Sequence, residues 1–225
     1  VRIERSQQTT SETGDCQAVS GEIGRRAASD LSRTARRMSQ QQLLSKVVEA
    51  LDDLSIPWML TGSLASSLQG EPRSTHDIDV IVKLDLSVVD QFRESFPAPD
   101  YYLSESSILD AVKRRGMFNL LDSTTGGKVD FWILSEDVFD RSRFARRIPD
   151  TIDDIAVMVS SPEDTILKKL WLSIESGGSE KQYLDALQVY ELQFDLLDKE
   201  YLREWVEHLD LTAIWDRLNT DAKPL

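Results

Sequence analysis

Two aspartates, Asp77 and Asp79, stand two positions apart at the entry to the apolar run of Ile78 and Val80 to Val82. Alternate positions of a strand share one face, so both carboxylates project from the same side of a sheet. Such a pair repels itself and binds protons more tightly unless a cation lies close by. Magnesium suits it, because this ion takes oxygen ligands and is commonly held by one or two carboxylates together with substrate phosphates. Cys16 is the only cysteine and His76 and His208 the only histidines, which excludes an internal disulfide, a cysteine zinc cluster and a histidine-rich centre. Asp130, inside the run from Val129 to Leu134, is a third acid in an apolar setting that needs a cause. Upstream, Gly62-Ser63 sits where an apolar strand turns into a helix, whose first N–H groups and positive dipole offer a seat for phosphate. A phosphate seat, an acidic pair and a third acid on a neighbouring strand are the parts that two-metal phosphoryl or nucleotidyl transfer requires.

The elements that must position these residues follow from periodicity and breakers. Leu43, Leu44, Val47, Val48, Leu51 and Leu54 recur at helical spacing and predict an amphipathic helix ending before Pro57. Residues 56–61 read as a buried strand, 64–68 as the start of a helix, 78–82 as a strand and 85–96 as a helix stopped by Pro97 and Pro99. Residues 118–121 and 128–134 flank the Gly-containing turn 122–127 and predict a hairpin with Asp130 in its second strand. Residues 155–159 form another apolar strand, and Ser161-Pro162-Glu163-Asp164 is a helix start. Four helical segments follow, near 163–175, 180–194, 198–208 and 210–218. The expected fold is therefore α/β (α+β): a mixed-sheet core over residues 39–160, then a C-terminal helical domain over 161–225. Residues 1–38, rich in Ser, Thr, Gln and Arg, read as a disordered tail.

The net charge of −13 disfavours a protein that coats nucleic acid, since phosphate neutralisation needs clustered Lys and Arg. The tail holds seven Arg against five acids, so the rest of the chain stands at −15. Within it, residues 113–115 and 141–147 are basic clusters that could meet an anion locally but read first as solvated helix faces. Trp58, Trp132 and Trp171 read as core or pocket-wall residues rather than base-stacking platforms. No apolar run is long enough to span a bilayer and the tail lacks a signal-like apolar stretch, so a cytoplasmic location is expected.

Three stretches resemble a known pattern: Leu60 to Ser63, then Arg73 to Val80 with Asp77-Ile78-Asp79, then Lys128-Val129-Asp130. They look like the Gly-Ser, Asp-x-Asp and distal-Asp signature of the polymerase-β-like nucleotidyltransferase superfamily. Residues 161–170 and 181–185 are similar to its AbiEii-type branch, which includes toxins of bacterial toxin–antitoxin pairs, and the whole resemblance spans about 43–210. It implies transfer of a nucleoside monophosphate from an NTP, such as ATP, to an acceptor hydroxyl, with two Mg2+ ions. Gly62 and Ser63 would hold the distal phosphates, Asp77 and Asp79 would bind both ions, and Asp130 would bind the ion nearer the acceptor and help deprotonate the attacking hydroxyl. Lys168 and Asp185 match the family's helical pair, Lys168 compensating triphosphate charge and Asp185 orienting nucleotide or acceptor. Arg73 and Lys128 match positions often basic there and could contact phosphate. Residues 177–181 depart from the pattern, lacking the Arg-x-Lys-Asp run common in relatives. The acceptor implied is a tRNA end, a protein side chain or a small molecule such as an aminoglycoside, and a toxin would have a cognate antitoxin. A non-catalytic nucleotide- or protein-binding module on the same fold, and an acidic scaffold that assembles through its helices, are the competing expectations.

Overall fold

A computed structural model describes residues 40–72 and 77–223, and its main compact unit is Gln41–Leu225. The tail expected over 1–38 and the residues Arg73 and His76 lie outside the described residues. Seven strands form one mixed sheet in the order β3-β4-β5-β2-β1-β7-β6. They are β1 (Trp58–Thr61), β2 (Asp77–Val82), β3 (Tyr101–Leu103), β4 (Met117–Asp122), β5 (Lys128–Ile133), β6 (Ile148–Ile152) and β7 (Ile155–Val159). The pairs β2/β5 and β1/β7 are parallel and the others antiparallel. The expected α/β class with a mixed sheet and trailing helices is what the chain adopts.

One face of the sheet is the main core. Ile78, Val80 and Val82 of β2, Val129, Phe131 and Ile133 of β5, and Phe118 and Leu120 of β4 are all buried there. Helix α1 (residues 40–53) lays Leu43, Leu44, Val47, Val48 and Leu51 on that face, as its spacing requires. Val89 and Phe92 of α3 (Val89–Glu94) and Ile108 and Ala111 of α4 (Glu105–Arg114) complete it. The segment expected as one helix over 85–96 divides into a 3-10 turn, Leu86–Val88, and the short α3, because Asp85 caps the turn through its bond to the Ser87 N–H.

Helix α2 (Gly62–Gln69) leaves β1 directly and packs against α6 (Pro162–Glu175) and α7 (Glu180–Gln193). The hydroxyl of Ser161 accepts the Asp164 N–H and Pro162 stands in the first turn of α6, the start expected from its sequence. Helices α8 (Lys199–His208) and α9 (Thr212–Asp221) follow, and a second apolar core unites Ile166, Leu167 and Leu170 with Tyr183, Val189, Leu202 and Leu218. The hydroxyl of Tyr183 donates to Asp221, and burial beside that carboxylate pushes it up to about 12.

Candidate active site

The second face of the sheet carries the three acids singled out in the sequence, and the register arranges its residues in rows. Leu121, Lys128 and Asp77 lie side by side across β4, β5 and β2. The next row is Asn119, Asp130, Asp79 and Thr61, which brings in β1. Met117, Trp132, Ile81 and Met59 form the third, and Phe144 of α5 (Val138–Ala145) closes over its β1 end. Neighbouring strands run about 4.8 Å apart, so the parallel pairing of β2 with β5 sets Asp130 beside Asp79. Asp77 and Asp79 share a face, as alternate strand residues must, and Asp130 of the neighbouring strand lies on it as well.

Asp79 is the centre of this face. Burial, with the charges of Asp130 and Asp77, raises its proton affinity, while the Trp132 indole N–H and the charge of Lys169 oppose the shift. Asp130 accepts from the Asn119 amide on one oxygen and from Lys128 Nζ at 2.9 Å on the other. That bond and the nearby Asp77 and Asp79 hold the Lys128 ammonium above its usual range. Among the described residues no group of three or more His, Cys, Asp or Glu is gathered as for a metal ion. The donor set nevertheless fits magnesium in its usual manner, two carboxylates completed by substrate oxygens, and Lys128 shows that the acids draw a cation to this face.

Gly62 sits against Asp79 for two separate reasons. Its φ is +69°, a left-handed conformation open to glycine at no steric cost. A Cβ placed on it would also meet Asp79 Oδ2 at 2.1 Å and Asp79 Cγ at 2.7 Å. The entrance of α2 therefore approaches the acid as closely as backbone can. Gly62→Ala should lower stability by about 2–4 kcal/mol, combining left-handed strain with a steric clash, and a thermal melt reads it. A melting temperature within a degree of wild type would contradict this packing. The N-cap of α2 is Thr61, with no side-chain cap bond, so Ser63 is not the ordinary cap residue that a lone Gly-Ser suggests.

A cationic side faces the acids across Thr61. Arg143 of α5 has a side chain 4% exposed, donates Nε to Asp140 at 2.8 Å and reaches Thr61 Oγ1 at 3.4 Å. Lys168 of α6 lies 3.8 Å from the same Asp140 and over the Trp171 ring at 4.1 Å. Burial, then the charge of Arg143, lowers the Lys168 proton affinity. Burial alone would raise Asp140, but Arg143 and Lys168 hold it below the ordinary carboxylate range. Asp185 is ion-paired with Lys169, the neighbour of Lys168, at 2.7 Å, with both side chains 5% exposed. Ser66 of α2 reaches the same Asp185 oxygen at 3.5 Å. Lys169 faces inward because it lies three residues after Ile166 and four before Ser173, a stripe the helical period could have revealed.

Reasoning from sequence also missed Arg143, which belongs to a cluster read as a solvated face. Its i,i+3 spacing from Asp140 is the signal that could have found it. Trp132, expected in a core or pocket wall, is 45% exposed beside Asp79.

With this geometry in view, residues 43–95 become informative. They match the family model of aminoglycoside-2''-adenylyltransferase. The matched stretch covers most of α1 and all of β1, α2, β2 and α3, hence Gly62, Ser63, Asp77 and Asp79. Asp130 and the helices α6 to α9 lie beyond it. No curated protein matches the chain. Among solved structures, an antigenic nucleotidyltransferase-like protein from Paracoccidioides brasiliensis is 18% identical, with 82% of this chain and 94% of that one covered and a TM-score of 0.47. ANT(2'')-Ia in complex with adenylyl-2''-tobramycin is 15% identical, with coverages of 80% and 98% and a TM-score of 0.49. JHP933 from Helicobacter pylori is 14% identical, with coverages of 82% and 77% and a TM-score of 0.46. No described helix is long and apolar enough to cross a membrane.

Proposed function

We propose that this chain transfers a nucleoside monophosphate from an NTP to an acceptor hydroxyl by a two-metal mechanism. The observation that carries the reading is the in-register pairing of Asp79 with Asp130 beside a helix entrance pressed against Asp79 at Gly62. The adenylyl transfer named in the matched family's description supports ATP as donor and a hydroxyl as acceptor. Asp77 and Asp79 would hold magnesium, which when bound supplies charge neutralisation at the attacking and leaving oxygens. The chain's own residues do the rest. The entrance of α2 and Ser63 orient the distal phosphates, Lys168 on the cationic side offsets their charge, and Asp130 takes the proton of the acceptor hydroxyl as it attacks the α-phosphorus in line. Lys128 would leave Asp130 as the acceptor arrives, and pyrophosphate departs on the side of α2.

The acidic chain favours one acceptor class. A net charge of −13 attracts a polycationic small molecule and repels RNA, which supports an aminoglycoside-like acceptor over the tRNA end and cognate antitoxin that an AbiEii-type toxin would have. Incubation with each labelled NTP and magnesium, in parallel with an aminoglycoside panel, total RNA and cell lysate, tests donor and acceptor together. Label on an aminoglycoside is expected, label on RNA or a protein would reassign the acceptor, and no label anywhere would leave a non-catalytic module.

Ser63 gives a sharper test of the phosphate seat. A charge-assisted hydrogen bond contributes about 1.5–3 kcal/mol, so Ser63→Ala should weaken affinity for a non-hydrolysable NTP roughly tenfold or more. Affinity for the matching monophosphate should change little. Equal losses for the two nucleotides, measured by titration in magnesium, would move the triphosphate elsewhere.

A further inference from the structure

The two basic clusters of the sequence meet at a cleft outside the site described above. It measures about 280 Å3 and is lined by Lys83, Arg115, Leu134, Ser135, Glu136 and Arg141. Lys83 follows the last residue of β2 and Leu134 the last of β5, at the ends of these strands opposite Asp77 and Lys128. Four residue steps lead from Asp79 to Lys83, a distance of about 13 Å at 3.3 Å per residue. The backbone under the cleft is fixed. Leu134 N–H bonds Val82 O at 2.9 Å, Ile133 N–H bonds Gly116 O at 2.9 Å, and Lys83 N–H bonds Pro57 O at 2.8 Å.

Two guanidinium groups share one carboxylate there, and Lys83 lines the same cleft. Glu136 accepts from Arg115 at 2.8 Å and also pairs with Arg141, which leaves an excess of positive charge on a protein of net charge −13. Two guanidinium groups and an ammonium match the oxygens of a phosphate-type anion. The backbone of Arg115 adds a second observation. This residue caps α4 in the left-handed region at φ +54°, where glycine is the usual occupant. Backbone strain of this kind is retained where the side chain is needed, and an exposed ion pair to Glu136 adds too little to account for it.

We propose that this cleft binds a phosphate-type oxyanion, at a place distinct from the candidate nucleotide site. The anion comes either as free phosphate or as one phosphodiester of a single strand.

The left-handed position makes the test specific. Arg115→Gly removes the cation yet suits the backbone, so the variant should melt no lower than wild type. Calorimetric titration of the full chain with inorganic phosphate, and separately with a hexauridylate, is carried out in magnesium-free buffer of low ionic strength. Arg115→Gly and Arg141→Gln should each weaken binding at least tenfold, and Glu136→Gln should tighten it several-fold by removing the competing carboxylate. Binding of phosphate with no gain for the hexauridylate supports the proposal with free phosphate as ligand, and tighter binding of the hexauridylate supports it with a phosphodiester. Absence of binding by both probes, or unchanged affinity in Arg115→Gly and Arg141→Gln, would overturn it. A lower melting temperature for Arg115→Gly would do the same, by showing that the arginine is structural.

Discussion

Asp79→Asn is expected to lower transfer to an acceptor hydroxyl by about 1000-fold while the fold stands, because a cation clamp supplies several kcal/mol to the transition state and each 1.36 kcal/mol is a factor of ten. Asparagine keeps the volume of Asp79 and an oxygen toward the Trp132 indole but loses the anionic ligand. The same substitution should raise stability in chelator. Burial and the charges of Asp130 and Asp77 lift the folded-state proton affinity of Asp79, so the folded form disfavours its ionisation. The sign follows from linkage: the cost is absent below the unfolded value of 3.8, grows as pH rises above it and is complete above the folded value. The stability gain of the variant should therefore appear on going from acid to neutral pH and shrink when magnesium is added. Wild-type turnover in Asp79→Asn, or a gain in stability that is the same at all pH values, would remove Asp79 from the centre of the site.

The second large effect is structural. Lys169→Met takes the ammonium away from Asp185, a carboxylate buried between α6 and α7, and breaking a buried pair from one side costs about 3–5 kcal/mol. Denaturant unfolding reads this as a lower midpoint with an unchanged slope. Lys169→Met combined with Asp185→Leu should recover much of the loss, since removing both charges removes the desolvation cost with them. Activity separates two roles. The charge of Lys169 counters the raised proton affinity of Asp79, so the double variant should regain most of its stability but stay slower in transfer than wild type. Full activity in a stable double variant would confine Lys169 to packing.

The parts of the fold that were legible in sequence are those with strong periodicity or strong punctuation. The apolar stripe of α1, the run of β2, the hairpin around Asp122 to Gly127 and the Ser161-Pro162 start of α6 each declare themselves locally. Asp122 shows why that hairpin reads so clearly: its carboxylate binds both Thr124 and Thr125, and these bonds hold it ionised despite partial burial. Strands β3 and β6 were not legible. β3 is three residues long, and β6, Ile148–Ile152, is exposed along most of its length, so neither shows a two-residue alternation. Helix α4 escaped because its N-cap, Ser104, and its left-handed end at Arg115 fall among charged residues that resemble a loop. In the site, the acids could be read because carboxylates are out of place in apolar strands. Arg143 left only the weak signal of its i,i+3 spacing from Asp140, because an arginine is ordinary on a helix surface and the tertiary approach of α5 to Thr61 is what buries it.

The parallel joining of β2 to β5 places Asp79 and Asp130 side by side although they stand about fifty positions apart in the chain, and β1 meets β7 at Leu60 and Val159 across an interval about twice as long. Contacts of such long sequence separation are made late, since the entropy of closing the intervening loops is spent before they give anything back. The three acids thus share no face during synthesis until β5 has emerged, and the sheet beneath them is not closed until β7 has. Gain of magnesium affinity in a refolding chain would accordingly be a clock for the slowest strand pairing, and an ion that binds only the finished sheet favours its completion by mass action.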